Sequence, residues 1–368
     1  MFSPLRSTLS IPATTISRRR QEVGGLVMFL IGIVLLSYTA LTVVAQAPLI
    51  GVCNGRVADN LPPEGDVVAF YTANGITKMR IYEADQFTLQ ALKNTSIELA
   101  LDVPNEVIPT LAADPAAATA WVQTNVISYA PSVQFRYIVV GNEVMPTYPI
   151  SHSVLPAMHN IQNALAQSPA VAAANVKVST AIRVDLLGTT YPPSAGAFAD
   201  SATAYVVPIV QFLAANGAPL LANVYPYFAY IGSSGQVALD YAIFGTGGRV
   251  VVQDGALGYQ NLFHAMVDSV YAALEKAGAP NLQVVVSETG WPSAGNDGAT
   301  PENAAAYYLG LTNGTVTSGT PKRPGQPVET YLFAMFDENQ KPGAASEQHF
   351  GLFTPDKQPK YPLVKFTN

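Results

Sequence analysis

Phe135-Arg136-Tyr137-Ile138-Val139-Val140-Gly141-Asn142-Glu143 is a short β-branched run that stops on a carboxylate. Gln283-Val284-Val285-Val286-Ser287-Glu288-Thr289-Gly290-Trp291-Pro292 repeats the pattern further along the chain. Unbroken Val/Ile runs suit strands covered on both faces, as in parallel sheets, whose catalytic groups gather at the C-terminal strand ends. Either glutamate alone is equally compatible with a solvated loop; their matching contexts set the pair apart. Two carboxyls brought to one cleft can divide the work of acid and nucleophile.

Further β-rich runs lie at 50–53, 78–82, 97–103, 176–182, 220–225 and 331–336. With 135–140 and 282–287 they make about eight candidate strands. Segments of helical apolar periodicity separate them at 114–128, 153–166, 202–216, 261–276 and 301–311, several opened by Asp, Ser or Pro and closed by Gly or Asn. Such alternation means parallel strands with crossover helices. About eight units in about 320 residues fit a single (β/α)8 TIM barrel, an α/β fold, better than a doubly wound sheet. No Gly/Ser linker divides the chain. On this barrel Glu143 follows the fourth strand and Glu288 the seventh, at one mouth. The arrangement predicts carboxyls about 5 Å apart, which is the retaining geometry.

Only 12% of the residues are charged and the net charge is −6. That excludes a basic field for nucleic acid and points to a neutral substrate. Arg18, Arg19 and Arg20 precede an uncharged stretch, 23–54, whose 23–45 portion is strongly apolar. Residues 1–45 therefore read as a signal peptide, with a signal anchor as the alternative because the stretch is long enough to span a bilayer. Small residues at 43–47 favour cleavage near Gln46, which leaves 46–368 as the catalytic domain; Met28 is an alternative start. Cys53 is the sole cysteine, so no internal disulfide forms, and its apolar setting suits a buried small hydrophobe. The sequons Asn94-Thr95-Ser96 and Asn313-Gly314-Thr315 fit a secretory route. His152, His159, His264 and His349 lack zinc-ligand spacing, and no phosphate loop follows a strand, so neither metal nor cofactor is expected.

Several longer motifs occur in order: Ile50-Gly-Val-Cys53, Asn60-Leu-Pro-Pro63, Met79-Arg-Ile-Tyr82, Tyr137-Ile-Val-Val-Gly-Asn-Glu143, Leu221-Ala-Asn-Val-Tyr-Pro-Tyr-Phe228, Val286-Ser-Glu-Thr-Gly-Trp-Pro292 and Phe333-Ala-Met-Phe-Asp-Glu-Asn-Gln-Lys341. Over essentially the whole mature length the chain resembles the plant endo-1,3-β-glucanases of glycoside hydrolase family 17. The resemblance implies Glu143 as general acid/base and Glu288 as nucleophile. It implies Asn142 as the group that holds the sugar 2-hydroxyl, and Glu338, Lys341 and Glu347 as a charged cluster beside the pair. Flat rings stack on pyranose faces. Tyr82, Tyr225 and Phe336, which fall in the motifs, are expected to do so, with core packing as the competing role; Trp291 either joins them or braces the loop around Glu288.

The implied protein is a secreted monomer that hydrolyses internal 1,3-β-linkages of fungal-wall glucan or callose with retention, in the extracellular space or apoplast, or in the vacuole. After signal cleavage it needs no membrane, and the short tail beyond Tyr361-Pro-Leu-Val364 suits release from the cell. One alternative is a mixed-linkage 1,3-1,4-β-glucanase; another is a glucan-binding protein without turnover. Three positions depart from the pattern: Asn54 replaces Tyr, Glu83-Ala84-Asp85 replaces Asp-Pro-Asn, and Asp337 replaces Asn. The first two bear on substrate preference. The third adds charge beside the cluster and is expected to raise the pKa of a neighbouring carboxyl.

Overall fold

In a computed structural model, which describes residues 49–169, 171, 174–362 and 366, the β-branched runs form a closed barrel of eight strands. These are β1 (Ile50–Cys53), β2 (Lys78–Ile81), β3 (Glu98–Val103), β4 (Gln134–Asn142), β5 (Lys177–Arg183), β6 (Leu220–Asn223), β7 (Val284–Thr289) and β8 (Thr330–Leu332). Neighbouring strands run parallel in sequence order around the ring, and β8 closes on β1. All eight expected strands are present, so the chain is a (β/α)8 barrel. The expected signal segment lies outside the described residues.

The β-branched content follows from burial on both faces. Val139, Val140, Val178 and Val286 are wholly buried between barrel interior and helices; each contributes about 1.5–3 kcal/mol relative to exposure. Cys53 is buried too, its thiol donating to Ser287 O at 3.4 Å.

Several helices begin where the sequence offers a side-chain acceptor to free backbone N–H groups. Asp114 caps Pro115–Val122, Asn261 caps Leu262–Lys276 and Thr300 caps Pro301–Gly310. Gly217 ends Asp200–Asn216 in the left-handed region. Two antiparallel hairpins, Leu187–Thr189 with Ala197–Phe198 and Val252–Asp254 with Leu257–Tyr259, were not foreseen. They decorate the loops after β5 and β6 and build one side of the barrel mouth.

The register slips in four pairings of the barrel, and two of these slips bear on the candidate site. The β4–β5 pairing shifts between Val139 and Asn142, and the β6–β7 pairing between Val286 and Glu288. A bulge bends a strand and re-aims the side chain that follows it. Both therefore lie immediately before a candidate glutamate.

At the N-terminal end of the barrel the charges pair with one another. Lys78 contacts Glu98 and Glu329, and Arg136 contacts the same two carboxylates. Glu329 also accepts from Tyr137 OH at 3.1 Å and Tyr331 OH at 3.2 Å. A cavity of about 930 Å³ lies beside this group.

Candidate active site

The opposite mouth opens into a cleft of about 1600 Å³ lined by Glu143, Glu288, Asn142, Tyr82, Tyr225, Glu338, Lys341 and Glu347. Its hub is Arg80, a residue that the reading of the sequence did not select. Arg80 is fully buried, so its charge must be met inside the protein. Its guanidinium donates to both Asp102 oxygens at 3.1 and 2.7 Å, to Glu288 Oε1 at 2.9 Å and to Asn142 Oδ1 at 3.0 Å. It also reaches Ser287 O at 3.1 Å and Asn223 Oδ1 at 3.3 Å. A planar fork of donors suits such multiple recognition, where lysine would not.

Glu288 stands within β7, one residue before its end, and is 6% exposed. Besides Arg80, Tyr82 OH donates to its Oε1 and Tyr225 OH to its Oε2, both at 2.8 Å. Burial raises both tyrosines well above the usual phenol range, so they remain donors. The ionised carboxylate is the acceptor that three convergent donors fit. Tyr82 and Tyr225 line the cleft, and their hydroxyls make contacts that aromatic patterning alone does not reveal.

Glu143 takes up the first position past β4 with φ +56°, in the left-handed region, after Gly141 at φ +91°. A non-glycine residue there costs of order 1–3 kcal/mol, and such residues cluster at functional sites. Asn105 clamps the turn: its amide donates to Asn142 O at 2.9 Å and accepts from Asn142 N at 3.0 Å. Glu143 Oε1 accepts from Asn223 Nδ2 at 2.9 Å. Burial, and then the nearby charge of Glu288, raise the Glu143 carboxyl above its ordinary range; the Asn223 bond, Arg183 and Arg80 oppose them. Burial also pushes Asp102 up to about 6, against the pull of Arg80.

The two carboxyls thus differ in environment. Donors crowd Glu288, whereas among the described residues Glu143 has no cation in contact. That asymmetry suits one group to accept and the other to carry a proton.

Glu338 is buried at the end of the segment after β8. Its Oε1 accepts from Val57 N at 2.8 Å and Lys341 Nζ lies 3.4 Å from its Oε2. Lys341 also lies 4.2 Å above the ring of Phe333. Gly55 leaves room for this carboxylate: a Cβ there would come within 2.4 Å of both oxygens. Burial raises Glu347, and Lys341 draws it back.

Three expectations are corrected. Trp291 is fully buried, its indole donating to Gly298 O at 2.8 Å and packing against Tyr227 and Tyr307, so no face is left for a sugar. It braces the loop after Glu288. Phe336 is 3% exposed and stacks on Phe70 in the core, outside the cleft. Asp337 turns away from the cluster: Lys360 Nζ at 2.6 Å and Gly351 N at 2.9 Å satisfy its Oδ1. Its charge is neutralised locally and does not bear on the cleft carboxyls.

Asp102 and Asn223 join Arg80 among the residues that the sequence reading missed. The available signal was a charge within an apolar strand, as in Met79-Arg80-Ile81 and Leu101-Asp102-Val103. Of the departing positions, Asn54 and Glu83 both line the cleft.

The family model described as Glycosyl hydrolases family 17 matches residues 50–366. A glucan endo-1,3-beta-glucosidase of Vitis vinifera is 52% identical over 340 residues, covering 92% of this chain and 96% of that protein. A solved structure from a study of two plant beta-glucan endohydrolases with distinct substrate specificities is 46% identical, with a TM-score of 0.81 and coverage of 85% of this chain and 99% of that one. CJP38, a beta-1,3-glucanase and pollen allergen of Cryptomeria japonica, is 45% identical at the same TM-score and covers 86% of this chain and 99% of its own. With the family match spanning the barrel from its first strand to its last described residue, the chain belongs to glycosyl hydrolases family 17.

Proposed function

We propose that the protein is a glucan endo-1,3-β-glucosidase that cleaves internal 1,3-β-linkages of neutral β-glucans with retention of configuration. The observation that carries this reading is the divided pair. Glu288 is pinned by Arg80, Tyr82 and Tyr225, while Glu143, in the same cleft, is shifted toward its protonated form. The relatives named above supply the linkage.

In the first step Glu143 gives its proton to the glycosidic oxygen as Glu288 attacks the anomeric carbon, forming a glycosyl ester. The hydrogen bonds to Glu288 set its oxygens in place before the substrate arrives, so little reorganisation accompanies bond formation. Glu143, now ionised, then takes a proton from water, which attacks the same carbon and frees Glu288. Asn142, held by Arg80 and Asn223, presents its amide to the sugar 2-hydroxyl. Lys341, Glu338 and Glu347 bind hydroxyls further along the β8 side. Tyr82 and Tyr225 contribute ring faces as well as their hydroxyls.

Residues 1–45 act as the signal and 46–368 as the catalytic domain of a secreted monomer that needs no cofactor. Both sequon asparagines, Asn94 and Asn313, are exposed, as glycosylation requires.

The test is release of reducing ends from laminarin and from mixed-linkage 1,3-1,4-β-glucan, with product anomers followed by NMR. Laminarin cleavage to β-products is expected. Glu288→Ala should lower kcat about ten-thousandfold or more, and Glu143→Gln by about a hundred- to ten-thousandfold. Preference for mixed-linkage glucan would move the assignment to that activity, and cleavage of neither glucan would leave a binding protein.

A further inference from the structure

The cleft has two ends. At one, between the loops after β5 and β6, Tyr191 and Phe228 stand at the rim, 72% and 39% exposed. At the other, Arg56 and Val57 after β1 and Glu83, Asp85 and Thr88 after β2 border the same cavity. Phe87 comes between Asp85 and Thr88 in sequence but points outside that cavity. It is 75% exposed, more than any other large apolar side chain among the described residues.

The ring stands on a fixed support. Phe87 lies in the first turn of the helix Gln86–Ala91, which Asp85 caps by accepting from Thr88 N at 2.6 Å. Thr88, Leu89 and, just past the helix, Leu92 turn inward and are buried. Gln86 ties the helix to the next unit of the barrel: its amide donates to Asn125 Oδ1 at 3.1 Å and accepts from Tyr129 OH. Gln90, one turn on along the face of Phe87, is exposed and gives that face a polar neighbour.

A lone apolar side chain on a protein surface needs no explanation. A ring on a rigid support at the end of a polysaccharide cleft does, because the C–H face of a glucose unit stacks on such a ring while its hydroxyls stay in water or meet Gln90 and Glu83. The support is already ordered, so little further entropy is lost on binding.

We propose that Phe87 is a binding platform for a glucose unit beyond the cleft, so that a long β-glucan chain is held at one more point than a short oligosaccharide. The inference rests on the reading of the cleft as a β-glucan site. The occupant is the same neutral chain that is cleaved, because the platform continues the wall formed by Glu83, Asp85 and Thr88. The segment leading into it, Glu83-Ala84-Asp85, is one of the departures from the family pattern, where substrate preference was expected to be set.

The test compares kcat/KM for laminarin with that for laminaritetraose in the mature protein and its Phe87→Ala and Phe87→Trp variants. The ratio of the two is expected to fall about three- to tenfold in Phe87→Ala, through a higher KM for laminarin, and Phe87→Trp should preserve or raise it. Phe87 lies outside the core, so the Phe87→Ala protein should unfold at the wild-type temperature. An unchanged ratio in Phe87→Ala, or one lowered through kcat, would overturn the proposal. So would self-association of the wild type that Phe87→Ala abolishes while the ratio stays as it was, since the ring would then serve a second copy of this chain.

Sedimentation with insoluble curdlan, a linear 1,3-β-glucan, separates this failure from that of the main reading. A wild type that released nothing from laminarin would overturn the glucanase assignment, and the platform would then be judged by binding alone. Glu288→Ala protein should need about three- to tenfold less curdlan for half-maximal sedimentation than the same protein with Phe87→Ala added. Equal sedimentation of the two would overturn the platform.

Discussion

The two ends of the barrel both gather charge on buried strands, but they balance it differently. At the N-terminal end two cations, Lys78 and Arg136, meet two carboxylates, Glu98 and Glu329, and two tyrosine hydroxyls fill the remaining positions on Glu329. At the C-terminal end one buried cation, Arg80, serves Asp102 and Glu288, and Glu143 is left to an amide. A balanced network holds strands together. An unbalanced one holds a proton whose place is open to change, and only that end opens on the larger cleft.

The largest effect that would break this contrast is expected at Arg80. Arg80→Ala strands two buried carboxylates, so it should destabilise the fold by about 3–5 kcal/mol. Activity, measured at a temperature where the variant is folded, should fall about a hundred- to a thousandfold, because the charged one of the three donors to Glu288 is gone. Full activity in a folded Arg80→Ala protein would show that the hub serves the fold alone. At the other end, Glu329→Ala should destabilise by a similar about 3 kcal/mol in urea unfolding, with kcat unchanged where the protein is folded. A lower kcat there would mean that the two ends are coupled. The smallest effect is expected at Asn223→Ala. Its amide favours the ionised form of Glu143 and so draws the pKa down; its removal should move the alkaline limb of the kcat profile to higher pH. A downward move would mean that another group carries that limb.

The barrel was legible because its strands are buried on both faces, which demands runs such as Tyr137-Ile-Val-Val and Val284-Val-Val that no helix or loop needs. The glutamates were legible for the same reason, each being the polar break at the end of such a run. Arg80 and Asp102 were harder to see, because a lone charge inside a strand has no periodicity, and its partner is set by the ring closure rather than by neighbours in sequence. The bulges before Glu143 and Glu288 depend on which backbone groups pair across strands, a property that residue types do not encode locally. Trp291 and Phe336 misled because a ring within a motif serves packing and recognition equally well. Asp337 misled because its partner, Lys360, lies on a segment that crosses back from further along the chain.

The burial of Cys53 has a practical consequence. The chain carries one thiol, and it is buried at the end of β1 against the Ser287 carbonyl of β7, with burial raising its pKa far above the range in which thiolates form in water. A cysteine substituted for the exposed Tyr191 would thus be the sole group open to a maleimide dye. Wild-type protein supplies the unlabelled blank, and the emission of that dye at the rim reports occupancy of the cleft without any change to the residues that do the chemistry.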